Sequence, residues 1–512
     1  MISMHGDITS RIDHMDSRYQ QLVQANERLG RKDATLWGPE AQQEAQIRLN
    51  WIDLPSTSRE LLPELDALSA RYRHCTRVIL CGMGGSSLAP EVIAATYNKE
   101  IFILDSTDPT YLSHALLGDF SHTVIVVSSK SGGTIETASA RALFETHLLA
   151  LGLVPQEHMV IVTDPGSPLD IDARSRQFIV INADPHVGGR FSALSAFGLV
   201  PAALIGIDVS VLLDSAYDAL EQLKGEHSPA VGAAYLMAHC SGQYISFSDS
   251  QSGMPGLSDW IEQLVAESTG KNQVGRLPVV IEESNAPVSG DALRIAFNGN
   301  ADLVVEGDLG AQFIFWEWTT ALIGVALAID PYNQPNVTEA KNQTSALLQL
   351  WSGKLPVLTC NAHDGSVEIF SKETTVQDTL MAIIDSVSSD GYISVMAYLD
   401  RLKDAQLAQI RRVLADKSGR PVTFGWGPRF LHSTGQFHKG GQQNGIFLQI
   451  TGETENDIAI PGKDFSFHTL IMAQALGDAQ ALESRGFTVM RLHITNRADG
   501  VAEILAASRS IV

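Results

Sequence analysis

The sequence predicts an α/β protein, built as three-layer α/β/α sandwiches with mainly parallel sheets. Short β-branched runs at 78–80, 101–104, 124–127, 159–162 and 178–181 alternate with helical lengths, the spacing of crossover units in a parallel sheet. Hydrophobic residues make up 44% of the 512-residue chain and charged residues 18%, enough apolar side chain for two large domains or three average ones. Loops of Gly, Ser and Thr leave two of the runs at the ends where such sheets carry their functional loops.

In chain order, residues 1–75 read as an amphipathic helical lead-in, broken near Leu54, Pro55, Ser56 and Thr57. Residues 76–215 hold the regular strand and helix alternation. Beyond them the pattern loosens: runs at 244–247, 279–281, 393–397, 422–424, 447–450 and 489–493 read as strands and 312–329 and 375–387 as helices, while 353–390 reads as an insertion.

Lys plus Arg number 36 against 58 Asp plus Glu, a formal net charge of −22, so no domain-wide basic face is expected to recruit nucleic acid. An anionic ligand needs a local cluster of donors. The four cysteines, Cys75, Cys81, Cys240 and Cys360, lack CxxC spacing, which argues against a disulfide framework or a zinc ribbon and fits a reducing compartment. The first residues lack a basic region followed by an apolar core, and the apolar run at 320–329 is too short to span a bilayer, so a cytoplasmic location without a membrane partner is expected.

Three loops carry candidate chemistry. Ser128, Ser129, Lys130, Ser131, Gly132, Gly133 and Thr134 follow the run at 124–127, and hydroxyls, a lysine and two glycines at a strand's carboxyl end suit a sugar phosphate. An ordinary polar turn before a helix has the same composition. In the earlier loop, Gly82, Gly84 and Gly85 let backbone come close to an anion, but Ser87 stands where a dinucleotide fingerprint needs glycine, so Ser86 and its neighbours fit a small ligand better. Arg190, behind Gly188 and Gly189, can hold an anionic intermediate, or be a surface arginine after a turn. Ser268, Thr269, Gly270 and Lys271 fail as a nucleotide loop, because Val265 replaces the first glycine and Asn272 follows the lysine. No HExxH or GxSxG motif is present.

Taken together and in this order, Gly82-Met83-Gly84-Gly85-Ser86, the segment from Ser129 to Thr137 and Gly188-Gly189-Arg190-Phe191-Ser192 resemble the successive motifs of the phosphoglucose isomerase family. The likeness is closest to the isomerase half of bifunctional transaldolase/phosphoglucose isomerases. Three further segments extend it. Glu267-Ser268-Thr269-Gly270-Lys271 is similar to the segment with the family's base, Gln334 to Lys341 to one that pairs a phosphate-contacting glutamine with a catalytic lysine, and Phe430 to Gln436 to one with the ring-opening histidine.

The resemblance implies two sugar-isomerase (SIS) domains, at 76–215 and 216–512, and interconversion of glucose 6-phosphate and fructose 6-phosphate through a cis-enediol. It implies Glu267 as the base, Arg190 over the oxyanion, and His432 with Lys341 at ring opening. Gly84, Gly85, Ser86, Ser129, Lys130, Ser131, Thr134 and Gln334 are the implied substrate contacts, with no metal and no cofactor. A monomer or homodimer acting on a small sugar phosphate is expected. Glu283 and His438 are the competing acid and histidine; Glu283 lacks the Gly-Lys that follows Glu267. Two departures stand out: Lys341 precedes His432, the reverse of the common family order, and the phosphate loop carries fewer threonines, so more backbone N–H contact is expected. Related phosphosugars such as mannose 6-phosphate, and a regulator that binds sugar phosphate without turnover, remain the alternatives.

Overall fold

In the computed structural model, which describes residues 1–511, the β-branched run of strand β4 and its neighbours are buried on both faces, as a parallel sheet covered by helices requires. Strand β1 (Ser3–His5) precedes this sheet, which consists of β2 (Arg77–Cys81), β3 (Phe102–Leu104), β4 (Thr123–Ser128), β5 (Met159–Thr163) and β6 (Ile179–Asn182). Its order is β3-β2-β4-β5-β6, parallel throughout. The order reverses between β2 and β4, so the loops after these two strands flank the crevice where such sheets bind ligands.

The second half differs from the expected single sheet, because 216–512 carries two. Strands β7 (Tyr244–Ser248), β8 (Leu277–Val280), β9 (Leu293–Ala296) and β10 (Leu303–Glu306) form a parallel set in the order β8-β7-β9-β10. Strand β1 closes its edge antiparallel to β10, so the lead-in is not wholly helical. β9 and β10 have four residues each, too few to show a period, and polar turns enclose them.

The third sheet holds β11 (Ala362–Asp364), β12 (Val367–Ile369), β13 (Tyr392–Tyr398), β14 (Val422–Trp426), β15 (Gly445–Gly452) and β16 (Thr488–Ile494). Its order is β11-β12-β16-β15-β13-β14; the last four strands are parallel and the β11–β12 hairpin runs antiparallel at the edge. The region read as an insertion thus supplies the edge of this sheet and the helix Val376–Ser386.

Two helices join the sheets. Leu309–Ala326 is buried nearly all round and packs within the core shared by the first and second sheets, while Phe467–Glu483 contributes Phe467, Leu470, Ala473 and Leu476 to the core under the far face of the first sheet. A further apolar cluster sets Tyr244, Leu277 and Val279 against Tyr392, Phe437 and Phe447, fusing the second and third sheets. The crevice of the first sheet therefore opens onto the other two. No helix among the described residues is long and apolar enough to cross a membrane.

Candidate active site

The turn Gly84–Ser86 after β2 presses on the turn Gly189–Phe191 after β6. A Cβ on Gly85 would lie 2.0 Å from the Gly189 carbonyl oxygen, and one on Gly84 would lie 2.8 Å from Gln263 Nε2 and 2.9 Å from the His432 carbonyl oxygen. The first demand on these glycines is thus close packing of protein on protein. Ser86 sits half-buried at the end of the turn.

Arg190 is 4% exposed, and each of its five N–H groups has an acceptor. Nε donates to Ser268 Oγ at 2.8 Å, Nη1 to Glu267 Oε1 at 3.0 Å and to Gln334 Oε1 at 2.9 Å, and Nη2 to the carbonyls of Pro331 at 2.6 Å and Asn333 at 3.1 Å. Glu267 and Ser268 belong to the last turn of the helix Leu257–Thr269, which carries them to the crevice. One buried guanidinium thus fixes the Glu267 carboxylate and the segment bearing Gln334. Of these acceptors Gln334 is on an exposed residue, the easiest to exchange for a ligand oxygen.

Lys271 lies in the same cluster, 3% exposed, with Nζ donating to the Asp330 carbonyl at 2.5 Å. Burial, and then the charge of Arg190, push its pKa well below the ordinary lysine value. Gln263, one helical turn before Glu267, donates from Nε2 to Glu267 Oε2 at 3.1 Å and to the His432 carbonyl at 2.8 Å. Neither residue was among the sequence-derived candidates. The sequence signals were there, in the Gly-Lys pair after Glu267 and the four-residue spacing.

His432 Nε2 donates to Glu136 Oε1 at 3.0 Å, and the same oxygen accepts from Gln474 Nε2 at 2.7 Å. Gln474 is itself held by Thr107 Oγ1 at 2.6 Å. Burial alone would raise the pKa of Glu136, but the charge and hydrogen bond of His432, with Lys341 beyond, bring it below the ordinary value. An ionised Glu136 accepts the Nε2–H hydrogen bond and leaves the Nδ1 lone pair for another partner. Glu136 and Gln474 carry no local signal of their pairing because they come from two helices, Ile135–Ala150 and Phe467–Glu483, far apart in the chain.

Thr134, Glu136, Lys341, Thr344, His432 and Gln474 line one cavity of about 130 Å³. It opens at the first turn of the helix Ile135–Ala150, whose N-cap Thr134 makes no side-chain cap hydrogen bond. Free N–H groups at a helix start suit an anion. Here the expected loop contacts are corrected in part. Gly132 N–H donates to Ser129 Oγ at 3.1 Å and Gly133 N–H to Ser131 Oγ at 3.2 Å, so two of the expected backbone donors are occupied within the loop while both serine O–H groups keep their own hydrogen to donate. Lys130 Nζ points away, to Asp164 Oδ2 at 2.6 Å and the Pro185 carbonyl at 3.1 Å.

The competing residues separate cleanly. His438 is buried between Tyr392 Oη at 2.9 Å and Ser394 Oγ at 3.3 Å, and burial, with the Lys439 charge, pushes its pKa down to about 3. Glu283 is exposed in the connection between β8 and β9.

Residues 67–288 match the phosphoglucose isomerase family model. A probable glucose-6-phosphate isomerase of Haloquadratum walsbyi is 30% identical over 220 residues, covering 41% of this chain and 51% of that protein. The glucose-6-phosphate isomerase of Thermus thermophilus is 34% identical over 236 residues, covering 44% of this chain and 56% of its own. The chain therefore spans about half the length of these curated relatives. A crystal structure of a glucose-6-phosphate isomerase from Chlamydia trachomatis shares the fold with a TM-score of 0.55 at 18% identity, over 69% of this chain and 89% of that one. The three loops, Glu267 and Lys271 lie inside the family match, whereas Gln334, Lys341 and His432 lie beyond it. Within residues 67–288 the chain is thus similar to the phosphoglucose isomerase family.

Proposed function

We propose that the chain interconverts D-glucose 6-phosphate and D-fructose 6-phosphate through a cis-enediol, a glycolytic and gluconeogenic step. The observation that carries this reading is the Arg190–Glu267 ion pair joined through Gln263 to the segment that holds His432 against Glu136. The names of the relatives support it.

The phosphate sits at the open start of the helix Ile135–Ala150, against Thr134 and Lys341, with Gln334 turning from Arg190 to the ligand. Ser129 and Ser131, bonded to the N–H groups of Gly132 and Gly133, hold the loop that leads into this helix. While Nε2–H faces Glu136, His432 Nδ1 takes the proton of the C1 hydroxyl and passes it to the ring oxygen as the C1–O5 bond breaks and the C1 carbonyl forms, with Lys341 beside it, so the imidazole ends as it began. Glu267 removes the C2 proton and returns it to C1, and the carbonyl moves from C1 to C2. Arg190, with permanent charge beside the enediolate oxygens, stabilises the anion formed between the two transfers. Atoms balance within the substrate, so the reaction needs neither a redox cofactor nor a metal. The order of Lys341 before His432 fits the transaldolase-fused type, and the chain acts in the cytoplasm as a monomer or homodimer.

A coupled assay of fructose 6-phosphate conversion by the chelator-treated chain tests this. Turnover on the order of ten per second is expected. Absence of turnover, with phosphosugar binding retained in calorimetry, would instead support a non-catalytic sugar-phosphate regulator.

A further inference from the structure

At the outer edge of the third sheet, beyond the residues of the active site, Cys360, His363 and Glu368 form a group in which one donor atom from each lies within 4.8 Å of the other two. The backbone that carries them is fixed. His363 on β11 stands directly opposite Glu368 on β12, so their side chains leave the same face of the hairpin. β12 pairs in turn with β16, and Val367 and Ile369 point the other way into the core of the sheet, 0% exposed. The ladder runs on past β11 through Asn361 N–H to the Ile369 carbonyl at 2.8 Å, while Asn361 Nδ2 ties to the Ser371 carbonyl at 2.7 Å. Cys360, the next residue, is thereby turned toward His363, with Sγ 3.2 Å from Nε2.

We propose that Cys360, His363 and Glu368 bind a borderline divalent metal ion of the zinc type, with solvent as a fourth ligand. A thiolate, an imidazole and a carboxylate are the donor set such an ion prefers over magnesium or calcium, which take oxygen. Zinc–sulfur and zinc–nitrogen bonds of about 2.3 and 2.0 Å at a tetrahedral angle put sulfur and nitrogen roughly 3.5 Å apart. The observed 3.2 Å is within a small side-chain adjustment of that edge. Glu368 Oε1 now lies 3.9 Å from His363 Nδ1, the ring nitrogen turned away from Cys360; because one donor of each residue lies within 4.8 Å of the other two, a rotation of the carboxylate brings one oxygen round to an ion shared with Cys360. Binding forms the metal–sulfur bond as the Cys360 thiol proton leaves to solvent. The ion clamps the irregular chain that follows the helix Val337–Leu350 onto the sheet edge. Its effect is on stability, apart from the isomerase site.

Cobalt(II) titration of the full chain, stripped with chelator, tests this. A thiolate-to-cobalt absorption is expected at one equivalent, displaced by zinc, lost in Cys360→Ser, and requiring about tenfold or more cobalt in Glu368→Gln. Zinc should raise the unfolding midpoint of the native chain and leave that of Cys360→Ser unmoved. Cys75, whose Sγ lies 3.6 Å from His74 Nε2, is the control thiol. Absence of the absorption, or its loss in Cys75→Ser with retention in Cys360→Ser, would overturn the assignment.

Discussion

At the scale of single residues, the site depends on one arginine with no spare donor. Because all five Arg190 N–H groups are occupied, binding must exchange an acceptor; Asn333 and Gln334 are the exposed ones, and of these Gln334 accepts through a side chain that can turn away. Glu267 accepts on both oxygens, from Arg190 Nη1 and Gln263 Nε2, which fixes the plane of its carboxylate. Glu267→Gln should lower kcat by about 10²–10⁴ while phosphosugar binding persists in calorimetry; unchanged kcat would remove Glu267 from the proton transfer. His438 gives a pH prediction instead. Its folded pKa of about 3 lies under the ordinary 6.5, so between these values the unfolded chain binds the extra proton. Stability then falls as pH drops through that window, by about 1.4 kcal/mol per pH unit from this group. Denaturant unfolding of the native chain and His438→Gln at several pH values should show the shallower acid slope in the variant. Equal slopes would mean that His438 is charged in the fold.

At the scale of elements, the turn after β2 sets the spacing of the site. Gly85→Ala puts a methyl carbon into the Gly189 carbonyl and must push the Arg190 turn back. A stability loss of about 1–3 kcal/mol is expected, with kcat falling more than KM rises, since the proposed reaction puts Arg190 at the reacting carbons and the phosphate at the start of another helix. Steady-state kinetics beside urea unfolding checks it; a pure KM effect would place the turn at the phosphate. The helix Leu257–Thr269 shows why spacing was informative here. Gln263 and Glu267 lie one turn apart, so a single amide spans from the base to the His432 segment.

At the scale of the whole molecule, the third sheet delivers His432 to Glu136 on the first, and buried ion pairs hold the two together. Arg497 reaches Asp108 Oδ1 at 3.2 Å and Asp404 Oδ2 at 3.3 Å, and Arg401 and Arg429 meet Glu91 and Asp105. Arg497→Met leaves Asp108, 0% exposed, without its cation. A loss of about 3–5 kcal/mol in urea unfolding is expected, with reduced turnover because His432 and Glu136 sit on opposite sides of this interface. A change under about 1 kcal/mol, the worth of an exposed pair, would show that apolar packing carries the contact.

The sequence by itself determined the first sheet, its parallel sense and the loops at its switch point, because β-branched runs and Gly-rich turns are local signals that neighbours reinforce. It also marked Arg190, Glu267 and His432 through their motifs. The tertiary structure alone decided that the second half makes two sheets, since β9 and β10 are too short to show a period and β1 pairs across 300 residues of chain. It likewise decided that Lys130 turns to Asp164, that the N–H groups of Gly132 and Gly133 are taken by Ser129 and Ser131 of their own loop, and that His438 is a core residue. Side-chain direction and partner depend on segments that only folding brings together. For the same reason the pairing of Glu136 with His432 was legible in neither segment alone.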